Sequence, residues 1–292
     1  MKKSFVVAGH RFSVEMPEGC PLWNMMGQYD PFEVPISEED GVFSLTLVQD
    51  LPAREKEPVY TEAPHEEGQS RIELYRVGEG WRFEMAPLAK APVCCVMESL
   101  ADFSRAVFCI VPERRNALFA LNNALMILYA FRTSGMDTLE MHSSVVLKDG
   151  KGYMFLGKSG TGKSTHSRQW LETFPGTELL NDDNPVIRLD PDGSARVYGT
   201  PWSGKTPCYR NLDAPVGAIV RIRQAPENHA TRLSVVEAYA SVYSSCSGLK
   251  SDRKIADGLH ATLEKVVLDV PCFVLDCRPD HEAAEVCHEA VR

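Results

Sequence analysis

The sequence predicts an α/β fold of the mixed-sheet (α+β) kind in two parts: a β-rich domain over residues 1–113 and a second domain over residues 114–292 in which strands and helices alternate. Three observations predict it. Residues 1–113 are dominated by runs such as FVVAGHRFSVEM, FSLTLVQDL and RIELYRVGEGWRFEM, rich in β-branched and aromatic residues and partly alternating. MHSSVVL and GYMFLG are two strand-like runs joined by KDGK, whose Asp149-Gly150 pair is a strong hairpin signal. The second of these runs leads into GKSGTGKS (Gly157 to Ser164) and then into the helix-compatible STHSRQWLETF.

Composition narrows the class. The chain has 292 residues, 44% apolar and 24% charged, with a net charge of −9, which is ordinary globular composition. An acidic surface of this kind repels polyanions, so nucleic acid is not expected as a partner. The nine cysteines include no C-x-x-C pair, and most lie in apolar runs such as PVCCVM and VPCFVLDC. They read as small buried hydrophobes in a reducing compartment. MKKSFVVAGHRF lacks the apolar core of a signal peptide. The longest apolar run, ALFALNNALMILYAF, falls short of the roughly 20 residues that span a bilayer. A cytoplasmic protein with no membrane partner is therefore expected.

In chain order, VGEG is expected to turn a hairpin within the N-terminal domain, and DLPAREKEPVYTEAPHEEGQS, polar and proline-containing, to form a long exposed loop. No His/Cys/Asp cluster in this half points to chemistry, so it reads as a packing or homo-oligomerisation domain. RRNALFALNNALMILYAFR, Arg114 to Arg132, is apolar on nearly every face, which predicts a buried helix, with the domain boundary just before it. The hairpin at Asp149 then makes the strand entering the glycine-rich stretch antiparallel to the one before, unlike the βαβ entry of most phosphate loops.

A phosphate loop needs a strand to deliver the chain, small residues that let backbone N–H groups converge, and a helix that begins at the GK[ST]. Residues 157–165 supply all three. Gly157, Lys158, Ser159, Gly160, Thr161, Gly162, Lys163, Ser164 and Thr165 are the nucleotide-binding set, with Trp170, Leu171 and Phe174 available for an apolar helix face. GTPWSGKT, Gly199 to Thr206, satisfies the same pattern and fails the test: Pro201 has no N–H, Trp202 is bulky, and Pro207 follows at once. This second stretch reads as a loop that brings Trp202, Lys205 and Arg210 to face the phosphates from across a cleft.

Nineteen residues after Lys163 comes Asp182, in TELLNDDNPVIRL. A strand ending in carboxylates at this distance is where a Walker-B-type aspartate falls. Of Asp182 and Asp183, one can hold Mg²⁺ together with Ser164 and the phosphates, and the other can accept a proton from an attacking hydroxyl. His142 opens the strand that pairs with the strand entering the loop, which brings it near the phosphates.

Together, MHSSVV, GKGYMFLGKSGTGKST, LLNDD and VYGTPWSGK resemble the catalytic domain of the HPr serine kinase/phosphorylase family over about residues 135–292. The resemblance implies a phosphoenolpyruvate carboxykinase-like nucleotide-binding core and an ATP- and Mg²⁺-dependent phosphotransferase acting on a serine-type hydroxyl. It assigns Asp182 as the base, Asp183 as the magnesium partner and His142 as a neighbour of the reacting phosphate. Lys205, on the cleft-facing loop, is expected to steady charge on the migrating group. The family's glutamate and glycine-rich signature are replaced here by ARVYGTPWSGK, so neither HPr as the acceptor nor the phosphorylase reaction carries over. The alternative reading is an ATP-binding regulatory module that transfers no phosphate.

Overall fold

The computed structural model describes residues 1–37, 41–52, 57–62, 70–111, 116–204 and 206–292. The chain forms two compact units, Met1–Arg132 and Thr133–Arg292, each built on a mixed sheet. Among the described residues no helix is long and apolar enough to cross a membrane.

The first unit holds strands β1 (Lys2–Val7), β2 (His10–Glu15), β3 (Glu33–Val34), β4 (Phe43–Leu47), β5 (Tyr60–Glu62), β6 (Arg71–Val77), β7 (Gly80–Ala86), β8 (Cys95–Ser99) and β9 (Arg105–Ile110), followed by helix α1 (Ala117–Thr133). They form one sheet in the order β3-β1-β2-β4-β9-β8-β7-β6-β5. Only β4 runs parallel to its neighbours, β2 and β9. Alternation in β1 and β2 sends Phe5, Val7, Phe12 and Val14 into the core. There Phe12 stacks on Phe43 at 4.8 Å between centroids and meets Tyr129 edge-on, geometries that aromatic rings prefer.

Helix α1 belongs to this unit in all but its last residue, so the division falls after it and not at 113/114 as the sequence reading has it. The reason lies in its polar anchors. Tyr129 donates to Val7 O at 3.0 Å, Arg132 Nε donates to Val42 O, and Asn122 Oδ1 accepts from Tyr29 and Gln28. Of the stretch expected to be a loop, residues 60–62 instead form the edge strand β5 on β6. Residues 53–56 and 63–69 lie outside the described residues.

The second unit contains β10 (Thr138–Glu140), β11 (Ser143–Lys148), β12 (Lys151–Leu156), α2 (Lys163–Thr173), β13 (Glu178–Asp183), β14 (Val186–Leu189), β15 (Ala195–Tyr198), β16 (Asp213–Gln224), β17 (His229–Arg232), α3 (Val235–Tyr243), α4 (Arg253–Asp269), β18 (Cys272–Cys277) and α5 (His281–Ala290). Its sheet runs β10-β14-β15-β16-β12-β11-β13. β16 is long enough to serve two neighbours in turn: residues 213–215 pair antiparallel with β15, and residues 219–224 pair parallel with β18. The hairpin expected at Asp149-Gly150 joins β11 to β12, both turn residues at positive φ, as a two-residue primed turn requires. β12 is a central strand. Tyr153 and Phe155 on one of its faces pack with Trp170 of α2 and with Ala283, Ala284 and Cys287 of α5, so burial against α2 and α5 holds the loop strand in place.

Candidate active site

Strand register alone brings the candidate residues together. Ser143 pairs with Leu156 across the hairpin and with Asp183 on the other side. His142 at the head of β11, Gly157 just past β12 and Asp183 at the end of β13 are therefore neighbours at one edge of the sheet. Ser144 Oγ and Ser167 Oγ, 2.6 Å apart, tie β11 to α2.

Between β12 and α2 the chain turns through residues 157–162. Gly160 and Gly162 take φ of +80° and +107°, values that a side chain disfavours. The turn closes by Thr161 N–H donating to Lys158 O at 3.2 Å and His166 N–H donating to Gly162 O at 2.8 Å. Helix α2 begins at Lys163 with no side-chain cap, so its first amides and the positive end of its dipole are left for an anion.

Lys163 Nζ donates to Gly157 O at 3.0 Å and lies 2.8 Å from His142 Nε2. His142 Nδ1 in turn lies 3.4 Å from Asp183 Oδ1. Burial, with the Lys163 charge, holds the His142 pKa below its ordinary value against the pull of Asp183. A neutral ring facing an ammonium accepts at Nε2 and carries its proton on Nδ1, toward the carboxylate. Burial lowers the Lys163 pKa, and Arg221 adds to this, while Asp183 and Asp182 oppose it. Burial raises the Asp183 pKa, assisted by Asp182 and opposed by His142 and Lys163.

Asp182 is the most unusual group in the site. It is 5% exposed, and neither carboxylate oxygen has a hydrogen-bond partner. A buried carboxylate left bare is costly, and such a cost persists where the group serves a ligand. Asn181 holds the strand end in shape, its Oδ1 accepting from the amides of Asp183 and Asn184 and its Nδ2 donating to Thr200 Oγ1 and Trp202 O.

Those last bonds draw the second GK[ST] stretch to the aspartates. The described residues of this stretch, 199–204 and 206, form no helix, as the two prolines and Trp202 led one to expect. Trp202, however, does not face the phosphates: it is 2% exposed and packed into the core. Arg210 is also turned away, paired with Glu178 and Leu179 O. Lys205 lies outside the described residues. What reaches the site is Gly204, where a Cβ would meet Asp182 O at 2.9 Å and Asp183 Cβ at 3.3 Å.

Two further residues escaped sequence reasoning. Glu140 on β10 is 2% exposed with Oε2 unpartnered. Burial, reinforced by the Asp183 charge, pushes its pKa well above the carboxylate range. The one available signal was weak: a single acid between the apolar Leu139 and Met141. Arg221 on β16, beside Leu156, is held by Ser241, Ser244 and Ser245 oxygens and by the Ser241 carbonyl at the end of α3. It makes no ion pair with a described carboxylate, and its pKa is lowered by burial. Alternation in IVRIRQ gave no hint of its neighbours.

Among the described residues no group of three or more His, Cys, Asp or Glu side chains is placed to hold a metal by itself. Any cation here would need phosphate or water among its ligands, the usual habit of Mg²⁺.

No protein-family model matches the chain, and no curated protein matches it. Among solved structures it is similar to the HPr(Ser) kinase/phosphatase from Coxiella burnetii, at 12% identity, covering 52% of this chain and 93% of that one with a TM-score of 0.31. The likeness concerns the fold alone, and the site stands on the geometry above.

Proposed function

We propose that the chain is an ATP- and Mg²⁺-dependent phosphotransferase with a carboxykinase-like, HPr-kinase-related core, moving the γ-phosphoryl group to a serine-type hydroxyl of a protein, peptide or small molecule. The observation that carries this reading is the bare, buried carboxylate of Asp182 beside the Lys163–His142–Asp183 line. A group that only braced the fold would have partners of its own. A group that takes the acceptor's proton as the hydroxyl oxygen attacks phosphorus is left open for it.

The loop amides of residues 157–165 and Lys163 hold the phosphates. Phosphoryl transfer asks the protein mainly for such positioning and charge neutralisation. Ser164, exposed on the first turn of α2, and Asp183, whose charge Lys163 and His142 already favour, suit Mg²⁺. The ion, when bound, would spread charge over the phosphate oxygens. His142, facing Asp183 through Nδ1, orients that carboxylate, and Lys205 steadies charge on the migrating group.

The test is ADP formation from MgATP with serine-bearing peptides and small hydroxyl compounds as acceptors, for the parent and for Asp182→Asn. Acceptor-dependent ADP formation that falls at least about a hundredfold in the variant supports the proposal. Tight MgATP binding without acceptor-dependent ADP, or an equal rate in both proteins, overturns it in favour of a regulatory module. The loss of the family's glutamate from ARVYGTPWSGK is the observation on that side.

A further inference from the structure

We infer that a cavity on the far flank of the loop binds the base of the nucleotide and selects adenine. The inference rests on the phosphate-loop reading and extends it to the other end of the ligand.

Strand order sets the geometry. β12 carries the loop, with β11 and β13 on one side and β16 and β18 on the other. His142, Asp182 and Asp183 lie on the β11–β13 flank. On the β16–β18 flank a cavity of about 380 Å³ opens against Gly160, Thr161, Gly162 and Thr165, a size in the range of small-molecule sites. Adjacent strands are about 4.8 Å apart, so about 14 Å separates β18 from β11, three strands away. A nucleotide lying across the loop spans that distance. With its terminal phosphate toward Asp182, its base falls into the cavity.

The wall has the chemistry of a base site. Ile222 and Cys277, both buried, supply an apolar floor, and burial raises the Cys277 thiol pKa to about 11, which keeps it neutral. Gln169, on α2, is 6% exposed and lines the cavity, and Gln224 stands at the rim. Gln224 Nε2 is directed at Gly160 O and Thr161 O at 3.4 and 3.5 Å, which ties the rim to the loop. His166 is also in the wall, 2% exposed. Its Nε2 accepts from Trp170 Nε1 at 3.1 Å, and its Nδ1 has no hydrogen-bond partner.

A carboxamide offers a donor and an acceptor side by side, the match for the N6 amine and a ring nitrogen of adenine. Guanine's O6 and N7 are both acceptors and call for a guanidinium or ammonium. The cavity has one guanidinium, Arg278, and it is already engaged by Asp280 Oδ2 at 2.7 Å and by Glu282. The wall therefore favours adenine by what it offers and disfavours guanine by what is taken.

The experiment is a set of calorimetric titrations with MgATP, MgGTP and magnesium tripolyphosphate on the parent, Gln169→Leu, Gln224→Leu and Lys163→Ala. The parent should bind ATP at least about tenfold tighter than GTP. At least one glutamine variant should lose most of that ratio and keep its tripolyphosphate affinity, while Lys163→Ala weakens all three ligands. Gln224→Leu, at the exposed rim, carries the test should Gln169→Leu fail to fold. Equal ATP and GTP affinity in the parent, an unchanged ratio in the folded glutamine variants, or parallel loss of ATP and tripolyphosphate in them overturns the base site alone. A parent that binds no tripolyphosphate overturns the phosphate-loop reading and this inference with it.

Discussion

Nζ of Lys163 and Nε2 of His142 lie 2.8 Å apart, although the two residues come from different elements, a helix start and a strand head. The hairpin register places the ring beside Gly157, and the loop returns the lysine to the same spot. Removing the ammonium leaves the loop without the cation aimed at the phosphates. Lys163→Ala should weaken ADP and ATP alike by at least about tenfold. Thermal shift with each nucleotide checks this, and undiminished binding of either would sink the loop assignment.

Asp182 carries a stability cost that a neutral group would not. Asp182→Asn should raise the melting temperature of the nucleotide-free protein, by about 2–4 °C for each kcal/mol recovered. A lower melting temperature would show that the carboxylate has stabilising contacts in solution and is not held open for a ligand.

Glu140 gives a prediction of the opposite pH sense from that of most paired acids. Its folded pKa is raised above the ordinary 4.5 by burial and by Asp183, so the folded state holds a proton that the unfolded state gives up. Stability is therefore full below pH 4.5 and declines as pH rises toward the folded value. Glu140→Gln should be more stable than the parent at pH 8, with the gap narrowing as pH falls toward 4.5. Urea denaturation at a series of pH values measures it, and a gap that does not depend on pH would contradict the assignment.

His166 acts on the acid side. Burial lowers its folded pKa from 6.5 to about 4, so the unfolded state binds the proton first. Its contribution is complete above pH 6.5 and is lost as pH falls from there to about 4, a change on the order of 3 kcal/mol. His166→Gln retains an acceptor for Trp170 Nε1 and should flatten the stability profile in this window without nucleotide present. A profile as steep as the parent's would place the titration elsewhere.

Gly204→Ala tests how closely the second GK[ST] stretch is fitted to the aspartates. Its Cβ would stand 2.9 Å from the Asp182 carbonyl, a contact that something must relieve. The variant should lose about 1–3 kcal/mol of stability and should slow ADP formation more than it weakens ADP binding. Parental stability together with a parental rate would mean that the stretch stands off from the site.

Much of this arrangement was legible because it is local. Asp149-Gly150 specifies the hairpin, the glycines specify the turn, and the distance from Lys163 to Asp182 is one helix and one strand. Periodicity could not say which strands become neighbours across long intervals. It gave no warning that β16 pairs with β15 at one end and with β18 at the other, or that Arg221 would meet serines some twenty residues on. Trp202 misled for a related reason: a large aromatic in a glycine-rich loop reads as exposed until Asn181 and Thr200 are seen anchoring that loop over the core. Glu140 was hidden by its short strand, where a single acid carries no pattern.

The two-residue turn at Asp149 also sets an order of assembly. The β11–β12 hairpin is a contact of short sequence separation, of the kind that forms in microseconds, and β13 adds to it after α2. β16 and β18, which wall the opposite flank, must return from much farther along the chain. During synthesis at about 5–20 residues per second, the phosphate half of the site emerges several seconds before the last strand of the base half. Helix α5, the last element, packs on Tyr153 and Phe155 of β12, so the loop strand gains that burial only once the chain is complete. Weakening β18 or α5 should therefore loosen the loop strand along with the wall of the opposite flank, because one core joins them.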